Sequence, residues 1–263
     1  MDLQELLKQA KYTENKYHTG IALGGGGARG FAHLGVIKAL KERGIIADIY
    51  SGVSAGAIIG ALLASGKEPD EILDILKSKK IYQYAGLLFP KKGMLSLGGL
   101  QEALKKHIAE NNLNQLKTPL IVGASNLNKG KMEYFDDGTI PGIILASASI
   151  PVLFSPVEIS GNLYCDGGIF ENIPVSPLRR ICQRIIAVSI SPVEETKKLN
   201  NLIQISARVF QLSVESTTRD AEEMSTVFIE PKELFDYDIL DVNAADELFD
   251  IGYHYTKNMA LNI

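Results

Sequence analysis

The chain has 263 residues, 46% of them hydrophobic and 22% charged, which suits one large α/β domain or two small ones with a sizeable core. A formal net charge of -4 argues against a nucleic-acid surface, and two cysteines, Cys165 and Cys182, make no disulfide framework and are expected to be reduced, buried thiols. No stretch approaches the ~18 apolar residues of a membrane span, and Met1 to Lys16 lacks the apolar core and small-residue cleavage pattern of a Sec signal peptide. A cytoplasmic protein is the default expectation; local contact with a membrane surface and export by another route stay open.

Leu3, Leu6, Leu7 and Ala10 fall at helical spacing and predict a short amphipathic helix within residues 1–17. Thr19 to Leu23 reads as a buried strand running straight into Gly24-Gly25-Gly26-Gly27-Ala28-Arg29-Gly30. Phe31, Leu34, Ile37 and Leu40 then recur at helical steps up to a stop at Gly44. Ile45 to Val53 is the next predicted strand and Ala55 to Ala64 the next helix. Pro69 opens a helix through Ile72, Ile75 and Leu76, and Leu97 to Ile108 form another. Between them, residues 81–94 are apolar and aromatic and carry the pair Lys91 and Lys92. Strands follow at Leu120 to Ala124 and Lys131 to Phe135. A loop-rich stretch, Ala146 to Pro156, leads to a hairpin from Val157 to Cys165 around Ser160-Gly161-Asn162. Arg184 to Ile190 and Thr226 to Ile229 are further strands, and the last twenty residues read as a helix. The repeated strand–turn–helix order predicts an α/β fold, three layers α/β/α with a mainly parallel central sheet. With no internal repeat and no linker-like tract, residues 1–263 read as a single domain.

Ser54 lies in Gly52-Val53-Ser54-Ala55-Gly56, a G-x-S-x-G pentapeptide between a strand and a helix. Such a turn can expose a serine as a nucleophile, but the pentapeptide alone is a weak signal. A serine needs a base to take its proton and N–H donors for the oxyanion of a tetrahedral intermediate. The glycine loop, Gly25, Gly26, Gly27, Arg29 and Gly30, can supply the donors, because glycines bring backbone N–H groups close to a substrate oxygen and the next helix begins there. Arg29 adds a cation directed toward a phosphate head group or a neighbouring loop. The same loop also matches the dinucleotide fingerprint Gly25-x-Gly27-x-x-Gly30, with Asp48 downstream. Asp48 stands at the start of its apolar segment, not the end where a ribose-binding carboxylate belongs, which weighs against that reading.

Two kinds of base remain. Of His18, His33, His107 and His254, only His254 comes late enough for a Ser–acid–His order. The other candidate is Asp166, in Asp166-Gly167-Gly168 after the strand-like Leu163-Tyr164-Cys165. A carboxylate there projects into a pocket if partly desolvated, or simply caps a tight turn.

Taken together, these residues resemble the patatin-like phospholipase family. Its G-G-G-x-[RK]-G loop stands here as Gly25 to Gly30, its G-x-S-x-G as Gly52 to Gly56 and its D-G-[AG] as Asp166 to Gly168. Ala146-Ser147-Ala148-Ser149-Ile150-Pro151 and Asn172-Ile173-Pro174 also fit, and the likeness covers residues 18–192. The resemblance implies a Ser54–Asp166 dyad in which Ser54 is acylated and Asp166 serves as base, without a triad histidine, metal or cofactor. Gly25, Gly26, Gly27, Arg29 and Gly30 would form the oxyanion loop, with Gly52, Gly56, Gly167 and Gly168 supporting the turns. The implied substrates are phospholipid, lysophospholipid or other fatty acyl esters. The alternatives are a general carboxylesterase, or a non-catalytic lipid- or nucleotide-binding regulator that keeps the fold. Tyr82, Tyr84, Leu87, Leu88 and Phe89, beside Lys91 and Lys92, are the expected site of peripheral membrane contact over 82–92, against the competing reading of a core helix. The oligomeric state is left open.

Overall fold

Strand β1 (Tyr17–Leu23) runs through the middle of the sheet, parallel to β2 (Ile49–Gly52) on one side and to β7 (Cys182–Val188) on the other. The computed structural model describes residues 15–77, 97–195, 202–239 and 242–261. The expected N-terminal helix and the aromatic 82–92 segment therefore lie outside the described residues, apart from residues 15–17. Beyond β2 come β3 (Leu120–Asn126) and β6 (Asn162–Asp166), then β5 (Val157–Ile159), while β8 (Val227–Ile229) extends the sheet past β7. β4 (Lys131–Phe135) pairs with β3. The ladders β3–β2–β1–β7–β8 are parallel, and those of β4, β5 and β6 are antiparallel.

Alternation along the parallel strands creates two cores, because successive side chains point to opposite faces. Ile21, Leu23, Leu120, Val122, Ile186 and Val188 face helices α1 (Phe31–Glu42), α2 (Ala55–Ala64), α3 (Pro69–Lys77), α4 (Gly98–His107), α5 (Ile140–Ser147) and α7 (Ala245–Asn258). Ala22, Ile49, Ile121, Ile185 and Ala187 face the other way, onto Ile173, Val175, Leu178 and Ala221 of α6 (Leu202–Met224). This is the expected three-layer architecture. Two helices were not anticipated: α5, which runs into the stretch read as loop, and α6. β2 is shorter than expected, starting at Ile49 rather than Ile45.

Strand register sets the site. Leu23 aligns with Gly52 and with Val188, and Gly52 aligns with Val122. Two residues further along β3, Ala124 aligns with Asp166. The glycine loop, Ser54 and Asp166 therefore reach one level at the carboxyl edge of the parallel strands, where open α/β sheets bind ligands. Asp48 lies at the opposite edge, where its Oδ2 accepts the N–H groups of His18 at 3.1 Å and Thr19 at 2.8 Å. It is occupied there and cannot meet a ribose at the glycine loop, so the dinucleotide reading loses its carboxylate.

Candidate active site

Ser54 occupies the turn between β2 and α2 with φ 55° and ψ -122°, a backbone conformation rare for a residue with a side chain. Local bonds hold it there. The Gly56 N–H donates to Val53 O at 2.8 Å, and the Ser54 N–H donates to Ser147 Oγ at 3.0 Å. Ser147 Oγ donates in turn to Gly123 O at 2.7 Å, tying the turn to β3. The pentapeptide glycines answer to close approach: a Cβ on Gly52 would lie 2.5 Å from Gly56 O, and one on Gly56 only 2.0 Å from Leu23 O. Ser54 itself is buried.

Asp166, at the end of β6, is fully buried. Its Oδ1 accepts the Gly168 N–H at 2.9 Å, so it does cap the following turn. Among the described residues, its Oδ2 closes no hydrogen bond. The nearby Ser54 hydroxyl still draws the carboxyl pKa down, as does Gly168, but burial outweighs both and pushes it up to about 7. The carboxylate thus has one oxygen fixed and the other uncommitted, and at neutral pH it can take up or release a proton. Gly167 is packed so that a Cβ would sit 2.7 Å from Gly123 O.

The glycine loop divides by role. The Gly25 N–H is shared between Asn172 O and Oδ1, each at 3.2 Å, and Gly25 O accepts from Asn172 Nδ2 at 3.2 Å and Ser191 Oγ at 2.7 Å. Gly25 therefore braces the loop and, contrary to expectation, offers no free donor. Gly27 sits at φ 60° with a Cβ position 2.2 Å from Ile239 O. The N–H groups of Gly26 and Gly27 meet no acceptor among the described residues, and neither does that of Ala55 at the start of α2. Ala55 escaped the sequence reading because a backbone donor carries no residue-type signal. Gly30 packs on it: a Cβ on Gly30 would lie 3.0 Å from that of Ala55.

Arg29 turns away from the oxyanion position. Its Nε donates to Tyr237 O at 2.9 Å, Nη2 to Phe235 O at 3.1 Å and Nη1 to Pro192 O at 3.4 Å. Burial lowers its pKa to about 10, which leaves it cationic at neutral pH. It clamps a neighbouring loop, the second of its two expected targets, and its place among the oxyanion residues is corrected accordingly. Arg29→Met should leave these carbonyls unpaired and cost on the order of 2–4 kcal/mol, read as a lower denaturation midpoint. Unchanged stability would mean that the clamp contributes nothing.

No histidine lines the small cavity above Ser54. His33 is fully buried, its Nε2–H donates to Gly24 O at 2.8 Å, and burial lowers its pKa to about 4, so it stays neutral and holds the loop. His254 lies on α7 and lines a separate groove with Glu233 and Asp250. The Ser54 cavity measures about 20 Å³, room for one water. Gly25, Gly26, Gly27, Asn172 and Ile150 line it together with Phe210, Gln211 and Val214 of α6.

This arrangement places the chain among α/β proteins that carry a serine on a strand-to-helix turn at the carboxyl edge of the sheet. The family model described as patatin-like phospholipase matches residues 21–179, and the chain belongs to the patatin-like phospholipase family. It is 32% identical over 215 residues to an uncharacterised NTE family protein of Mycobacterium bovis, covering 76% of this chain and 59% of that one. It is 26% identical over 274 residues to lysophospholipase NTE1 of Kluyveromyces lactis, covering 90% of this chain and 19% of that one. The chain thus spans about three fifths of the mycobacterial relative and under a fifth of the yeast one. VipD from Legionella pneumophila shares the fold, with a TM-score of 0.52 at 17% identity, over 92% of this chain and 66% of that one. Among the described residues, no helix is long and apolar enough to cross a membrane.

Proposed function

We propose that the chain is a lipid acyl hydrolase of phospholipase A or lysophospholipase type, working as a single domain over 1–263 through Ser54 and Asp166. Asp166 takes the Ser54 proton as Oγ attacks the acyl carbonyl carbon. The carbonyl oxygen becomes an oxyanion held by the N–H groups of Gly26, Gly27 and Ala55. The intermediate collapses, the C–O bond to the alcohol breaks, and Asp166 returns the proton to the leaving oxygen. Water then attacks the Ser54 ester and gives a proton to Asp166, and the fatty acid leaves as Ser54 recovers its own. The observation that carries this reading is a buried carboxylate with a pKa near 7 beside a serine held at positive φ. The name of the yeast relative makes lysophospholipid the first substrate to try.

The expected result is covalent labelling of Ser54 by a fluorophosphonate, absent in Ser54→Ala, with hydrolysis across a panel of phospholipid, lysophospholipid, monoacylglycerol and short p-nitrophenyl esters. Activity confined to the short soluble esters would make it a general carboxylesterase. A native protein that neither labels nor hydrolyses any of them is instead a non-catalytic member of the fold.

A further inference from the structure

Helix α6 is apolar on the wrong side as well as the right one. Phe210, Gln211 and Val214 line the Ser54 cavity, and Val214 and Ala221 are buried. On the opposite side Ile205, Val209 and Leu212, spaced four and three residues apart, point to solvent with 42%, 62% and 49% of their surface exposed. From Leu202 to Val214 the only charged residue is Arg208, whose Nη2 donates to Glu194 O. The second half of the helix is ordinary: Glu215, Arg219, Asp220, Glu222 and Glu223 form its exposed face. A helix apolar on two opposite sides belongs in a covered environment, and here that character is confined to the half that carries the residues lining the Ser54 cavity.

Other segments at the cavity share it. Val152, two residues from the cavity-lining Ile150, is 60% exposed and sits at φ 72°, a strained conformation for a β-branched residue. Phe170, just past the Asp166 turn that packs against α6, is 41% exposed. The cavity beneath admits one water, not an acyl chain. The second half of α6 is anchored, since Thr217 Oγ1 accepts the Asn172 N–H at 3.2 Å, and Asn172 in turn braces Gly25.

We propose that the exposed apolar face of α6 formed by Ile205, Val209 and Leu212, with Val152 and Phe170, is the surface by which this protein meets a lipid aggregate, and that docking there draws the first half of α6 off Ser54. The occupant is acyl-chain surface, because the patch is apolar and an acyl chain is what must enter the space below it. The inference rests on the hydrolase reading, which supplies the acyl chain as occupant; vesicle flotation tests the surface separately from the chemistry.

The test uses the full chain, phosphatidylcholine vesicles and the variant Ile205→Ser/Val209→Ser/Leu212→Ser, whose substitutions lie on the surface. Native protein should float with the vesicles, also in 0.5 M salt (roughly, chosen to screen charge). Its rate of Ser54 labelling by a fluorophosphonate should rise roughly tenfold when vesicles are added. The triple variant should stay in solution and label at the vesicle-free rate. Native protein that stays off vesicles, or a triple variant that binds and responds like native, overturns the proposal. So does a native dimer on light scattering that the triple variant dissociates while neither binds vesicles, since the face would then belong to a second copy. Flotation with no labelling under any condition keeps the surface and sinks the hydrolase reading; labelling without flotation does the reverse.

Discussion

Asp166→Asn should abolish turnover and make the protein more stable above neutral pH. In the proposed reaction Asp166 accepts the Ser54 proton as general base, so its loss should lower kcat/KM by at least about 10³-fold. The stability gain follows from linkage. Burial raises the Asp166 pKa from 3.8 to about 7, so between those values the folded state holds a proton that the unfolded chain has released. The resulting stability is fully present below pH 3.8, falls as pH rises through 7, and is flat above. At pH 8 the native protein carries the whole cost of a buried carboxylate, about 4 kcal/mol for a shift of this size. Asparagine keeps the Oδ1 acceptor for the Gly168 N–H and removes the charge, recovering on the order of 2–4 kcal/mol. For a chain of this length each kcal/mol moves Tm by about 2–4 °C. The variant's advantage at pH 8 should fade toward pH 4. Native kcat/KM should rise with pH on an apparent pKa near 7, reporting the free enzyme. A variant with near-native activity would remove Asp166 as base, and one with no pH-dependent gain in Tm would mean that its carboxylate is not buried as described.

The site was legible in the sequence where function needs a residue type at a fixed spacing. Gly52 and Gly56 are read from their letters because no Cβ fits between β2 and α2 at Gly52 or between α2 and β1 at Gly56, and Ser54 because it stands between them. Asp166 was legible as a carboxylate at a strand end; that it caps a turn with one oxygen and leaves the other uncommitted needed the fold. Ser147 and Asn172 lay within recognised stretches without a role, since their value is in bonds to distant backbone: Ser147 to Ser54 and Gly123, Asn172 to Gly25. Ala55 and the division of labour among Gly25, Gly26 and Gly27 were illegible, because N–H groups look alike in sequence. α6 was missed for a physical reason. Ile205, Ala207 and Val209, then Phe210, Leu212 and Val214, alternate every second residue, so the segment matches neither a one-sided helix nor a strand of ordinary length. The pattern that hid the helix is the same two-sided apolarity that suggests its docking face.

Two glycines one turn apart on α2 should respond to alanine in opposite ways. Gly60→Ala places a Cβ 3.1 Å from Leu120 Cδ1, the tip of a side chain that can shift by a few tenths of an ångström. The helix gains its best former in place of glycine, so the variant should be up to about 1 kcal/mol more stable, with unchanged labelling of Ser54. Gly56→Ala gains the same propensity, yet its Cβ would meet Leu23 O at 2.0 Å, Leu23 C at 2.5 Å and Gly24 O at 2.8 Å. All three are backbone atoms at the junction of β1 with the glycine loop, and none can rotate away. Relief requires the start of α2 to move off β1, at a cost of about 3 kcal/mol or more. The same movement separates Ser54 and the Ala55 N–H from the donors of Gly26 and Gly27. Any folded Gly56→Ala protein should therefore label at Ser54 about 10²-fold more slowly, because misplacement of reacting groups by an ångström costs about that much. Equal stability and labelling in the two variants would show that the turn and the loop do not touch as closely as this. A Gly56→Ala protein that is destabilised but labels normally would place the contact in folding alone and separate it from the alignment of the site.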